Sequence, residues 1–95
     1  MTRAEQIEAA ADVWRDALGK AKAAEDRRDV AQEGVALFDD VAMERDLTAE
    51  ERAAWEAAHT KLLAADAALR EACATQDAAL GALLQIAAAP SPLSP

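Results

Sequence analysis

Cys73 is the only cysteine in the 95 residues. No intrachain disulfide can form, so a small cystine-stapled domain is excluded; a reducing, cytoplasmic setting is expected. Proline occurs only at Pro90, Pro92 and Pro95, and glycine only at Gly19, Gly34 and Gly81. The glycines are isolated, which excludes a glycine-rich phosphate loop. Tyrosine is absent, and Trp14, Phe38 and Trp55 are the only aromatics. Basic residues are a minority, 10 against 18 acidic, for a net charge of −8. Neither half is basic: Met1 to Asp46 carries 7 basic and 12 acidic residues, and the remainder 3 and 6. Direct, sequence-specific binding to nucleic acid is therefore disfavoured. No apolar run approaches the roughly 20 residues of a membrane span, and MTRAEQIEAA has no apolar signal core, so no membrane partner is expected. There is no arguable Ser-His-Asp set and no clustered Cys or His. Nucleophilic and phosphoryl-transfer catalysis have no basis, and we expect a non-enzymatic protein without cofactors.

What the chain has in abundance is alanine, 28 residues of it. Ala10, Ala17, Ala24 and Ala31 recur every seven residues, as do Ala58, Ala65, Ala72 and Ala79. A small residue once per heptad lets two helices lie close together. Thr2–Glu5 and Thr48–Glu51 each have the T-x-x-E spacing of a capping box, which marks two helix starts. The expected fold is all-α: a long antiparallel two-helix hairpin, or coiled coil, over residues 1–89. Helix one covers about 3–45, the turn 46–48 and helix two about 49–88. The proline-rich tail, 90–95, is expected to be flexible, with Leu93 a candidate partner-binding residue.

In arm one, Ile7, Trp14, Ala21, Arg28, Val35 and Ala42 take heptad position a. Position d holds Ala10, Ala17, Ala24, Ala31, Phe38 and Arg45. In arm two, Trp55, Leu62, Leu69, Gln76 and Leu83 take a, against Ala58, Ala65, Ala72, Ala79 and Ile86 at d. Large residues thus alternate with alanine, so that the arms interdigitate. A turn centred on Leu47 makes partner numbers sum to about 94. It puts Arg28 opposite Asp66, a register-setting ion pair, Phe38 near Trp55, and Trp14 near Leu80. The polar stretch Gly19–Asp29 is expected to pack thinly, and Cys73 is expected to be a small core residue beside the seam.

Val30, Gly34, Leu37 and Val41 form a second apolar row beside the seam of arm one, while Leu18, Leu63, Leu80 and Leu84 widen the stripe elsewhere. A helix apolar on more than one side needs more than one neighbour. The hairpin is therefore expected to associate with itself, as a dimeric four-helix bundle or a larger ring. The self-association set is Ile7, Trp14, Leu18, Val30, Val35, Leu37, Phe38, Val41, Trp55, Leu62, Leu69, Leu80, Leu83 and Leu84. A core made mostly of methyl groups points the same way, since a lone hairpin buries little area.

One motif suggests metal chemistry. Glu56-Ala57-Ala58-His59 puts a carboxylate and an imidazole on one helix face, as in di-iron helical bundles, with Asp39 the best-placed third group. It resembles the encapsulated-ferritin hairpin, an alternative reading beside the metal-free one. The carboxylate row Glu5, Glu8, Asp12 and Asp16 reads as a solvated outer face.

The two long arms, the tight turn at Asp46 to Thr48 and the short C-terminal tail together resemble the ring-forming hairpin segment of small terminase subunits from phages and gene-transfer agents. This resemblance implies a DNA-packaging scaffold or adaptor that engages a large motor subunit. In that family a separate N-terminal helix-turn-helix binds DNA; here the long helix starts at Thr2, so specific DNA binding is not expected. The alternative of a different class is a secretion or assembly chaperone holding a partner's helix against Val30, Leu37 and Val41.

Overall fold

The computed structural model describes residues 1–88. It contains two helices, α1 (Arg3–Glu44) and α2 (Ala49–Ala88). Each consists largely of strong helix formers and lacks proline, and at 1.5 Å per residue each runs about 60 Å. They lie antiparallel. Arg3 near the start of α1 reaches the carbonyl of Ala87 at the end of α2, 2.8 Å away, whereas Arg45 at the other end of α1 contacts Glu51 in the first turn of α2. The chain is an all-α helical hairpin. The expected tail and Leu93 lie outside the described residues.

Both capping boxes form. The Glu5 N–H donates to the Thr2 hydroxyl at 3.1 Å, and the Glu5 carboxylate accepts from the Thr2 N–H. At α2, the Glu51 N–H donates to the Thr48 hydroxyl at 3.1 Å, and the Glu51 carboxylate accepts from the Thr48 N–H at 2.9 Å. Each pair satisfies two backbone donors that a helix start leaves without partners.

Burial follows the heptad reading along most of the hairpin. Among the described residues the buried ones are Ala17, Ala21, Ala24 and Val35. In α2, every residue at positions a and d from Trp55 to Ile86 is half-buried. The seam departs from the expected pattern at three places. Ala42 and Arg45 are exposed, and Val41 is covered instead. The reason is that α1 ends at Glu44: Arg45 takes an extended conformation (φ −159°, ψ 167°) and its N–H closes the last turn onto the Val41 carbonyl. Arg45 thus leaves the seam before it can occupy position d. The Gly19–Asp29 segment is also not the thin region expected. Ala21 and Ala24 lie within it and are buried, because small side chains bring the partner helix close enough to cover them. Finally, Cys73 is exposed rather than part of the core; it stands just outside the half-buried ridge of Leu69, Ala72 and Gln76.

Candidate functional site

Arg28 interrupts the apolar seam of α1 at a position otherwise filled by Ile7, Trp14, Ala21 and Val35. Its Nε donates to Asp66 Oδ1 at 2.9 Å, across the two helices. The hydrogen bond and the charge of Asp66 raise the Arg28 pKa further above its ordinary value. Both side chains are more than a third exposed. The contact therefore selects a register more than it adds strength: sliding one arm by a turn would leave a guanidinium facing an apolar ridge.

Nearer the turn, the Trp55 indole N–H donates to Asp39 Oδ1 at 3.0 Å. Trp55 also meets His59 edge-on, with ring centroids 4.5 Å apart and planes at 80°. This geometry bears on the metal alternative. Asp39 is turned to the indole, Glu56 is exposed, and the imidazole of His59 packs on an aromatic ring. Among the described residues no group of three or more His, Cys, Asp or Glu side chains is placed to hold an ion. The proposed trio does not come together as an ion site, and Asp39 Oδ1 instead accepts from the Trp55 indole.

The turn is the most densely bonded polar region. Arg45 makes a two-pronged contact with Glu51, with both N···O distances 2.8 Å, and also donates to the Asp46 carbonyl at 3.0 Å. The Glu51 carboxylate thus accepts from two groups, the guanidinium of Arg45 and the N–H of Thr48. The Arg45 hydrogen bonds, followed by the Thr48 N–H, pull the Glu51 pKa from 4.5 down to about 2. The fork contact was not foreseen, because the heptad reading placed Arg45 in the seam; the spacing Arg45-x5-Glu51 across a predicted turn was the available signal.

Of the expected self-association residues, Val35 is buried. Ile7, Trp14, Leu18, Phe38, Val41, Trp55, Leu62, Leu69, Leu80 and Leu83 are half-buried between the two helices or at their margins. Val30, Leu37 and Leu84 are exposed, by 68%, 69% and 57%. Leu63 and Val13 are exposed as well, and Val13 was missed. Its position, 17 residues before Val30 and 28 before Val41, continues the same outer row of α1 at helical spacing. The indole nitrogen of Trp14 is buried without a hydrogen-bond partner among the described residues.

By architecture, the chain falls among all-α helical hairpins. No protein-family model matches it, and neither a curated protein nor a solved structure matches it. No helix among the described residues is long and apolar enough to cross a membrane.

Proposed function

We propose that this protein is a non-enzymatic scaffold or adaptor that works as a self-associated helical hairpin. One observation carries the reading: among the described residues the seam within one hairpin buries only three alanines and a valine, while Val13, Val30, Leu37, Leu63 and Leu84 stay exposed. Burial of apolar surface contributes about 25 cal/mol per Å², and alanine has little surface to bury. Two helices of this length joined only by such a seam are marginal, and covering the outer leucines and valines in an oligomer supplies the missing area. The acidic outer face then remains displayed to other proteins.

A small-terminase-like packaging role is a narrower form of the same proposal. Its support is the architecture, two long antiparallel arms and a tight turn, together with the acidic balance that argues against holding DNA directly. Sedimentation equilibrium and native mass spectrometry test the general reading. A mass that is a discrete multiple of the chain is expected. A well-folded monomer over the accessible concentration range would overturn it.

A further inference from the structure

We propose that α1 carries a self-complementary docking surface for a second copy of this chain, centred between Gly34 and Leu37, against which the α1 of that copy packs antiparallel. The proposal rests on the self-association reading above and names the surface that performs it.

The surface is the row Arg27, Val30, Gly34, Leu37, Val41 and Glu44. These residues alternate by three and four, and so share one side of α1; Arg27, Val30, Leu37 and Glu44 stand clear of the seam with α2, while Gly34 and Val41 are half-buried at its edge. Val30 and Leu37 are more than two-thirds exposed. The order along the row is a cation, four apolar or small residues, then an anion. Reversing one copy against the other, in the register where residue numbers sum to 71, matches every member. Val30 meets Val41, Leu37 meets Gly34, and Arg27 meets Glu44, each twice by symmetry. A parallel pair would instead set cation on cation and anion on anion. The charges are free to serve: Arg27 and Glu44 are exposed, and neither forms an ion pair among the described residues. A two-fold contact of this kind is closed, because the same patch is used on both copies.

Gly34 is the second observation. A glycine within a helix costs about 1 kcal/mol relative to alanine. Nothing in the hairpin requires it: a Cβ built at Gly34, as at Gly19 and Gly81, meets no atom within 4 Å, and Gly34 is the one of the three that falls on this row. In the antiparallel pair the gap has an occupant, the Leu37 side chain of the second copy, and the bare backbone allows the helices to come close. The opposing contribution is the acidic edge of Glu33 and Asp40, which adjoins its symmetry mate. Salt screens that repulsion over about 10 Å.

The test compares the dimer dissociation constant, by sedimentation velocity across a concentration series at fixed salt, for the wild-type chain and four variants. Gly34→Leu is expected to keep or raise helicity, since a helix former replaces glycine and nothing in the single hairpin opposes a Cβ there, yet weaken association at least about tenfold by displacing Leu37. Arg27→Glu and Glu44→Arg are each expected to weaken it, and the double variant to restore it. If the wild type associates but Gly34→Leu and Arg27→Glu leave the constant unchanged, or the double swap does not rescue, this surface is wrong while self-association stands. A monomeric wild type would remove both.

Discussion

At the scale of single residues, the two tryptophans make opposite demands. The Trp14 indole N–H is buried without an acceptor among the described residues, whereas that of Trp55 donates to Asp39. An unmade buried hydrogen bond costs roughly 1–3 kcal/mol, so removing its donor recovers something of what the smaller ring loses. Trp14→Phe is expected to leave unfolding stability within about 1 kcal/mol of wild type, measured by urea denaturation. A loss well beyond that would mean the indole nitrogen finds a partner in the assembled protein. Among the described residues, Val35 is the one buried side chain larger than alanine. Val35→Ala should cost about 1–3 kcal/mol through lost contact and an unfilled space, and it should do so irrespective of salt. Arg28→Ala, in contrast, should lower the melting midpoint only slightly, with the difference shrinking as salt is added, because the pair with Asp66 is partly exposed. The Arg28–Asp66 pairing was legible in the sequence, since a lone cation in an apolar stripe requires an opposite charge and the turn position fixed which one it met. The fates of Asp39 and His59 were not legible. Spacing places side chains on a face, but cannot decide whether a carboxylate turns to a metal or to a neighbouring indole.

At the scale of elements, the turn depends on Glu51. Its carboxylate holds the α2 cap and the guanidinium that follows α1, and its folded pKa of about 2 lies well below the ordinary 4.5. A depressed carboxylate pKa means the folded state binds the proton less readily than the unfolded chain. The stabilisation is therefore complete above about pH 5 and is lost as pH falls toward 2. Thermal melts of wild type and Glu51→Gln should differ most above pH 5 and converge toward pH 2. Comparing the two proteins cancels the gain that other carboxylates bring when protonation relieves the net charge of −8. A constant difference across that range would show that the Arg45 and Thr48 contacts do not discriminate between the charge states. The helix starts were legible because capping boxes are local chemistry. The end of α1 was less so: the heptad extended through Arg45, but the C-cap conformation removes that residue from the seam.

At the scale of the whole molecule, the hairpin is long, thin and incompletely covered. If association supplies part of its stability, the melting midpoint must depend on concentration, because binding partners of the folded state shift the equilibrium by mass action. A tenfold dilution is expected to lower the midpoint measurably for wild type, and to lower it less for a Val30→Ser, Leu37→Ser variant that keeps the intramolecular seam. A midpoint independent of concentration in both would indicate that the two helices suffice. Cys73, exposed beside the seam of α2, gives a control position: Cys73→Ser should change neither helicity nor the mass of the assembly.

The heptad repeats, the capping residues and the absence of proline before residue 90 were enough, by themselves, to determine two long helices, their antiparallel pairing and their register. The helices follow from local geometry repeated every seven residues; the antiparallel pairing and the register follow from the short turn between the two capping boxes. Only the tertiary structure decided which small residues became the core. Burial depends on how closely the second helix approaches, and alanine at 17, 21 and 24 permits an approach that larger residues elsewhere prevent. Val30, Leu37 and Leu84 stand on faces turned from the seam, and a single neighbouring helix leaves them exposed. Burial separates the apolar residues that hold one hairpin together from those left on its surface.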